Sequence, residues 1–426
     1  MSNSKKYLFP FILVTSLFFL WGFIHNFDPI LIPHLKRAFS LTTLQSSLID
    51  SAVYIGYFVM ALPAGAIMRK YGYKAGIITG LLLFATGSFL FIPAANTQQY
   101  VFFLGALFII ACGLAILETA ANPYAALLGS PEKATQRLNF AQSFNGLAVT
   151  LAPMIGVKVI MTEGLPDAQL NAMSEAARVT ALASEASSVK MPYFVLGCIL
   201  LVVALFFAFT KLPEIKSGEE GESKSVFHAL KHRHLSWAVA AQFFYVGAQV
   251  CIMSFFILYA MTAVHLTKGE AGRYLGLGCG MAFMIGRFAG TFFMRFIEPS
   301  RLLALYAFIN ILLCLVVIFG QGMITIYATI GIAFFMSIMF PTIFALGIKD
   351  LKSDTEFGSS LIIMSIVGGA FLPPALAYIA DTTKNIQYGY IVPLISFVVI
   401  LYYGLQGYKV VSNKKVIRDE KILPGL

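Results

Sequence analysis

Charged side chains are scarce in this sequence of 426 residues. Asp, Glu, Lys and Arg together make up 12% of it, whereas ordinary globular proteins carry about 25%. Hydrophobic residues make up 58% of the chain and the mean hydropathy is +0.81. Such a composition excludes a soluble domain of this size and indicates a polytopic membrane protein.

Cysteines and catalytic motifs are also few. The five cysteines all lie in apolar runs, so we expect no disulfide framework. The sequence contains no GxSxG, HExxH or phosphate-binding loop at a plausible element boundary. His228, His232 and His234 lie together in a charged segment without a cysteine or carboxylate at ligand spacing, which favours solvated side chains over a metal site. We therefore expect no enzyme, cofactor, bound metal or nucleic-acid partner.

Long apolar runs dominate the sequence. A transmembrane helix needs about 20 apolar residues, and continuous runs of that length favour helices over a β-barrel. Twelve spans are predicted, at residues 8–34, 44–68, 75–93, 100–128, 139–161, 191–211, 235–263, 271–294, 301–320, 323–347, 357–380 and 387–408. The predicted fold class is an all-α polytopic membrane protein whose spans lie in the lipid bilayer.

The distribution of basic residues predicts the topology. Of the 30 Lys and Arg residues, 21 fall in segments on the side of the two termini and seven on the other side. Positive residues stay in the cytoplasm, so both termini are predicted to be cytoplasmic. The charged segment 212–234 divides the spans six and six, which predicts a first half at 1–211, a linker at 212–234 and a second half at 235–426. A monomer suffices for a carrier built from two such halves.

Glu118 lies inside the apolar run at residues 100–128, with no cationic residue within a helical turn. An ionised carboxylate in hydrocarbon is costly and is functional by default. Glu118 is therefore protonated, or faces a polar cavity, or pairs with a cation from another helix. Asn122 lies four residues later on the same helical face. A polar cluster that only packs helices together is the alternative.

Asp28 is a second carboxylate in or near the membrane. Pro29 removes a backbone donor and can kink the helix, and His25 and Asn26 lie one turn back or less. These groups could assemble a proton or cation site. The alternative is that Asp28 simply lies at the outer membrane surface.

Span 5 carries a polar stripe of Asn139, Gln142 and Asn145, which recur every three residues. Amides both donate and accept hydrogen bonds, which suits sugar hydroxyls. Hydrogen bonding between helices is the alternative. Pro and Gly residues that interrupt helices are clustered in spans 10 and 11, where interruptions often mark hinges or helices that line a site.

Two cations and a second polar face lie in other predicted spans. Lys158, later in span 5, either pairs with Asp28 or Glu118, and so takes part in coupling, or extends to the membrane surface. Arg287 in span 8 either anchors a helix end or lines the cavity. On span 7, Gln242, Tyr245 and Gln249 share one helical face, which could form the second half's wall of a cavity.

Six stretches resemble one known family. They are 65–74 (GAIMRKYGYK), 117–123 (LETAANP), 137–145 (RLNFAQSFN), 241–249 (AQFFYVGAQ), 286–288 (GRF) and 341–349 (PTIFALGIK). The first resembles the loop motif of the major facilitator superfamily, and the others resemble its fucose permease branch of sugar–cation symporters from bacterial inner membranes. The similarity extends over nearly the whole chain.

The resemblance implies cation-coupled uptake of a monosaccharide such as fucose, galactose or glucose by alternating access. It matches Glu118 to a membrane-embedded glutamate implicated in sugar binding and protonation, and Asn26, Gln142 and Asn145 to positions that face the sugar. The family's coupling ion is usually the proton. The carboxylate Asp28 lies one residue earlier than in the family pattern, which leaves sodium coupling open. Proton-driven drug or metabolite antiport is the remaining alternative, and a channel, a sensor or a membrane-embedded enzyme would be a different class.

Overall fold

The chain is helical through its apolar regions. The computed structural model describes residues 3–25, 39, 43–97, 99–159, 169, 172–187, 189–213 and 226–410. In these ranges nine helical stretches are long and apolar enough to cross a membrane, and the longest, Ala52–Thr97, has the length of two spans. The first span is helical at Asn3–His25, and its predicted continuation to residue 34 lies outside the described residues.

We number the spans 1 to 12 in chain order. In the first half, span 1 is Asn3–His25, spans 2 and 3 form the helix Thr43–Thr97, and spans 4, 5 and 6 are Tyr100–Leu127, Ala134–Val159 and Lys190–Phe209. In the second half, spans 7 to 12 are Arg233–Ala263, Gly269–Phe293, Pro299–Phe319, Met323–Gly347, Lys352–Thr383 and Ile386–Gly407. Short helices at Glu175–Ser187 and Val226–Ala229 precede spans 6 and 7. Span 7 thus begins two residues before its predicted start.

Spans 8, 10 and 11 of the second half are interrupted. Span 8 contains a π-helical segment at Tyr274–Gly280, span 10 breaks between Met336 and Met339, and span 11 has a 3-10 turn at Ser365–Val367. The breaks in spans 10 and 11 coincide with the region where Pro and Gly residues cluster in the sequence. The break in span 10 leaves a backbone carbonyl group that accepts a hydrogen bond from another span.

Gly72 separates span 2 from span 3. Its φ of 82° is the one non-helical conformation inside Thr43–Thr97, and glycine adopts a positive φ without the steric cost that a side chain brings. Just before it, the Arg69 guanidinium lies 5.3 Å from the centre of the Phe357 ring of span 11. We call this end of the bundle the basic end. Its other basic residues include Lys133, Arg295 and Lys349.

The two halves repeat the same packing. In the first half span 1 packs on span 5, and span 3 packs on spans 4 and 6; in the second half span 7 packs on span 11, and span 9 packs on spans 10 and 12. Between the halves, span 2 contacts span 11 and span 5 contacts span 8. Span 2 has the same place in the first half as span 8 in the second, and span 5 corresponds in the same way to span 11. The two interfaces are therefore equivalent. The fold is the two-half, twelve-span arrangement that the sequence predicts.

Glycines let spans 3 and 4 approach closely. A Cβ atom on Gly113 of span 4 would lie 2.6 Å from the backbone nitrogen of Phe84 and 2.8 Å from the carbonyl oxygen of Gly80. Small residues at such crossings maximise van der Waals contact between helices in a membrane. Both obstacles are backbone atoms, which cannot move aside as a side chain can.

We expect Gly113→Ala to destabilise the protein because its new methyl group meets the backbone of span 3. Overpacking of this kind costs about 1–3 kcal/mol. Gly105→Ala in the same helix is the control, since a Cβ atom there meets no heavy atom within 4 Å. Thermal unfolding in detergent should show a lower melting temperature for Gly113→Ala only. Equal melting temperatures for the two variants would contradict the close crossing.

Candidate transport site

Polar side chains from spans 4, 5 and 8 converge where the two halves meet. Span 4 supplies Glu118 and Asn122, span 5 supplies Gln142 and Asn145, and span 8 supplies Arg287. Asn122, Gln142 and Arg287 are buried, whereas Glu118 and Asn145 are half-buried. Four of these five are residues that the sequence analysis proposes for substrate binding or coupling.

The Glu118 side chain accepts a hydrogen bond from span 2. The Tyr57 hydroxyl donates a hydrogen bond of 2.7 Å to the Glu118 Oε1 atom. Glu118 also acts electrostatically on Arg287, so a cation from the other half lies within reach of its charge. Of the three sequence-based alternatives, this arrangement favours polar surroundings for Glu118, with the Arg287 cation of another helix nearby. Tyr57 gave no signal in the sequence, because a tyrosine in an apolar run is ordinary.

The amides of spans 4 and 5 bond to each other and to the second half. Gln142 Nε2 donates to Asn122 Oδ1 at 2.9 Å, and Asn139 Nδ2 donates to Thr342 Oγ1 of span 10 at 3.1 Å. The Asn122 Nδ2 atom is buried and has no hydrogen-bond partner among the described residues. The polar stripe of span 5 therefore makes helix-to-helix contacts here, while Asn122 of span 4 retains donor capacity.

Arg287 joins the halves through backbone acceptors. Its side chain is buried, its Nη1 atom donates to the Gln142 carbonyl oxygen at 2.6 Å, and its Nε atom donates to the Ser337 carbonyl oxygen at 3.0 Å. The guanidinium carbon lies 4.6 Å from the centre of the Phe283 ring. The five donors of a guanidinium make such forked contacts possible. The sequence analysis expects Arg287 either to anchor a helix end or to line the cavity, and the structure places its side chain in the contact between the two halves.

The break in span 10 explains why Ser337 is available. Pro341 lies four residues after Ser337 and has no N–H to complete the helical hydrogen bond. The Ser337 carbonyl group therefore needs another donor, since buried backbone groups are rarely left unpaired. Arg287 supplies it. A proline on span 10 and an arginine on span 8 thus act together, although 54 positions separate them in the sequence.

Glycines give Asn145 and Arg287 the room they occupy. A Cβ atom on Gly22 of span 1 would lie 2.5 Å from Asn145 Nδ2, and one on Gly146 would lie 3.2 Å from Arg287 Cδ. Asn145 Oδ1 in turn accepts a hydrogen bond of 3.4 Å from Arg287 Nη1. Span 1 is therefore close to the same polar cluster.

The remaining predicted site residues have different outcomes. Asn26 and Asp28 lie outside the described residues. Lys158 lies on the described helix of span 5, but its side chain is outside what the structure describes. On span 7, Gln242 is fully buried and neither atom of its amide has a hydrogen-bond partner in the described part of the chain. Gln249 is half-buried on the same span.

The three histidines around the start of span 7 differ from the sequence-based expectation that their side chains are solvated. His228 Nδ1 and His232 Nε2 lie 3.2 Å and 3.0 Å from Asp354 Oδ2. The local sequence offers no carboxylate partner, but the fold brings one from the start of span 11. His234 instead contacts the Lys349 carbonyl oxygen through its Nε2 atom at 2.8 Å. These side chains therefore contact other residues of the protein rather than only water.

A cavity of about 790 Å³ lies at the basic end, between spans 1, 5 and 8. Its walls combine phenylalanines such as Phe140 and Phe288 with the charged residues Arg137 and Arg295. None of the predicted substrate-binding residues that the structure describes lines it. This cavity is therefore distinct from the polar cluster around Glu118.

Most of the sequence matches one protein family. A model of the Major Facilitator Superfamily matches residues 11–362. The chain belongs to the major facilitator superfamily. Membership identifies it as a multi-pass membrane transporter rather than an enzyme, and it confirms the twelve-span fold class predicted from the sequence.

Relatives within this superfamily cover nearly the whole chain. The L-fucose-proton symporter of Escherichia coli (strain K12) is 42% identical over 411 residues, covering 94% of each chain. A glucose/galactose transporter of Brucella abortus biovar 1 (strain 9-941) is 39% identical, covering 96% of each. A crystal structure of the superfamily transporter FucP in the outward conformation superposes with a TM-score of 0.87 at 41% identity, covering 94% of this chain and 98% of that one. The fucose permease resemblance noted from the sequence is thereby confirmed.

We expect Arg287→Lys to loosen the contact between the halves of this transporter. A lysine keeps the charge but lacks the planar fork, so the carbonyl group of Gln142 or Ser337 loses its donor. An unsatisfied buried group costs about 1–3 kcal/mol. Pulsed EPR between spin labels at positions 132 and 296, in a background without native cysteines, should show a larger population with longer distances.

Arg273→Lys is the matched control for this experiment. Arg273 lies near the other end of the same span and is exposed, so its replacement should leave the distance distribution unchanged. An unchanged distribution in Arg287→Lys would show that this residue does not hold the halves together.

Proposed function

We propose that this protein is a secondary active transporter that couples the uptake of a monosaccharide to a cation, most simply a proton, by alternating access. Fucose, galactose and glucose are the candidate sugars. The observation that supports this most is the placement of Glu118 beside Tyr57, within electrostatic reach of Arg287, where the two halves meet. The names of the relatives, L-fucose-proton symporter and glucose/galactose transporter, point the same way.

The proposed sugar site lies between the halves. Asn122, Gln142 and Asn145 offer amide groups from the first half, and Gln242 and Gln249 offer them from the second half. Sugar hydroxyl groups both donate and accept hydrogen bonds, as amides do. The amide of Gln242 is buried without a partner among the described residues, so it has unused capacity for hydroxyl groups. Asn26 completes the proposed set from span 1.

Glu118 is the proposed coupling residue. In its protonated form the carboxyl group is neutral, and in its ionised form it is stabilised by the Tyr57 hydroxyl and by the positive charge of Arg287. Loss of the proton would therefore strengthen the attraction between span 4 and span 8, which belong to different halves. Sugar and proton transport are coupled if sugar binding and protonation of Glu118 both favour the same one of the two conformations of alternating access. Asp28 and Lys158 are the other residues proposed to take part.

The proposed location is the inner membrane of a bacterium, with both termini in the cytoplasm. The excess of Lys and Arg on the side of the termini supports this orientation. The basic end would then face the cytoplasm. We further propose that the two halves are residues 1–211 and 235–426, that the linker is 212–234, and that one chain is sufficient for transport because it contains both halves of the site.

The decisive experiment measures uphill uptake of labelled fucose, galactose and glucose by proteoliposomes. A proton gradient is imposed first and a sodium gradient second. We expect accumulation with the proton gradient alone, for at least one of the three sugars. Accumulation that requires sodium would replace the proton by sodium as coupling ion, and counterflow without accumulation under either gradient would contradict active transport.

We expect Glu118→Gln to abolish uphill uptake while sugar exchange across the membrane is retained. Glutamine keeps the size and hydrogen-bonding capacity of the side chain but cannot release a proton. Tyr57→Phe is the matched control, since it removes the hydroxyl that donates the 2.7 Å hydrogen bond but leaves the Glu118 carboxyl group in place, and it should weaken uptake by no more than about tenfold. Concentrative uptake by Glu118→Gln at the wild-type level would exclude Glu118 as the coupling residue.

A further inference from the structure

A cluster of three metal-ligating side chains lies at the basic end, away from the proposed sugar site. The side chains of His228, His232 and Asp354 each offer one ligand atom, and these three atoms lie within 4.8 Å of one another. His228 belongs to the short helix Val226–Ala229, His232 caps span 7, and Asp354 immediately precedes the helix that begins at Thr355. None of these three residues belongs to the proposed sugar or coupling site.

The spacing of the ligand atoms approaches that of a tetrahedral metal site. Zinc binds imidazole nitrogen and carboxylate oxygen at about 2.0–2.2 Å, which places neighbouring ligands of a tetrahedron roughly 3.4 Å apart. His228 Nδ1 and His232 Nε2 lie 3.2 Å and 3.0 Å from Asp354 Oδ2. The two histidine nitrogens lie within 4.8 Å of each other, so the imidazole rings need to adjust to place an ion between the three atoms.

Burial and accessibility also suit a metal site. The Asp354 side chain is 5% exposed, whereas those of His228 and His232 are 31% and 33% exposed. A carboxylate that is buried beneath two imidazoles is oriented before an ion arrives, and the open side lets the ion enter and leaves a position for water. His234 does not belong to the ligand set, because its Nε2 atom contacts the Lys349 carbonyl oxygen.

The ligand types select the class of ion. Two imidazoles and one carboxylate suit zinc, cobalt, nickel or copper, whereas calcium and magnesium prefer sites built from oxygen alone. The neighbouring basic residues Lys231, Arg233 and Lys352 disfavour weakly held cations, so the direct bonds to nitrogen and oxygen must supply the affinity. Three protein ligands and one water are the usual arrangement of an open zinc site.

The metal-ligating cluster lies next to a contact between the two halves. Two and three residues after Asp354, the Glu356 carbonyl oxygen and the Phe357 ring lie 3.2 Å and 3.3 Å from where a Cβ atom on Gly65 of span 2 would be, and Phe357 also lies under Arg69. These contacts join the halves at the basic end. An ion held by the cluster would tie the segment before span 7 to the start of span 11, next to this junction.

We propose that His228, His232 and Asp354 form a binding site for a divalent transition metal ion of the zinc class, which fastens the segment between the halves to the start of span 11.

The test uses the purified full-length protein in detergent, with any polyhistidine tag removed and with bound metal stripped by a chelator. Zinc binding is measured by calorimetry and by the shift in melting temperature. We expect one ion per chain and a higher melting temperature with zinc. Cobalt should give the visible absorption of a tetrahedral complex, which cobalt in water lacks.

Ligand variants test the assignment. Asp354→Asn, His228→Ala and His232→Ala should each weaken zinc binding by about tenfold or more, since even changes outside the first coordination shell cost 10- to 100-fold. His265→Asn is the matched control, because His265 is exposed on the connection between spans 7 and 8 and asparagine tolerates its φ of 59°. It should bind zinc as the wild type does.

Melting temperatures without metal show whether each variant is folded, and the conservative variant His232→Gln serves if His232→Ala is not. Wild-type protein that binds no zinc would overturn the proposal, leaving an aspartate hydrogen-bonded to two histidines. Zinc binding that is equal in the wild type and in all ligand variants would overturn it as well.

Discussion

One buried arginine connects the two halves of this transporter. Arg287 on span 8 donates to a carbonyl oxygen of span 10 in its own half and to a carbonyl oxygen of span 5 in the other. A buried positive charge is tolerable only when its donors are satisfied. These two backbone acceptors and the side-chain acceptor Asn145 Oδ1 are all neutral, so the contact is specific in geometry without being a full ion pair. Such a contact can be broken and remade, which a transporter that alternates between two states requires.

The surroundings of Arg287 are arranged by backbone features. Pro341 leaves the Ser337 carbonyl group without its helical donor, and Gly146 leaves room for the arginine side chain. Asn145 and Gln142 lie on the facing side, and Gln142 is bonded in turn to Asn122. Any movement of span 8 against span 5 therefore disturbs the amides that are proposed to bind sugar. In this way the contact between the halves and the proposed substrate site share one set of hydrogen bonds.

The repeated packing of the halves explains how motion at one interface affects the other. Span 2 contacts span 11, and span 5 contacts span 8. These two interfaces are equivalent, because spans 2 and 8, and likewise spans 5 and 11, have the same place in their halves. At the first interface Arg69 lies over Phe357, and at the second Gln136 Nε2 donates to the Thr291 carbonyl oxygen at 3.2 Å. Both contacts lie toward the basic end. A rocking motion of one half against the other would separate them together.

The amino-acid sequence by itself determined the class of the molecule and its candidate residues. Runs of about 20 apolar residues specify spans because lipid leaves the backbone no partner but itself, and a carboxylate in such a run, Glu118, stands out because burial of its charge is costly. What the sequence could not determine was which partners meet. Tyr57 bonds to Glu118 across 61 positions, Pro341 frees the carbonyl group that Arg287 occupies, and Asp354 approaches His228 across 126 positions. These pairings follow from the packing of spans that are distant in the chain, and only the tertiary structure decided them.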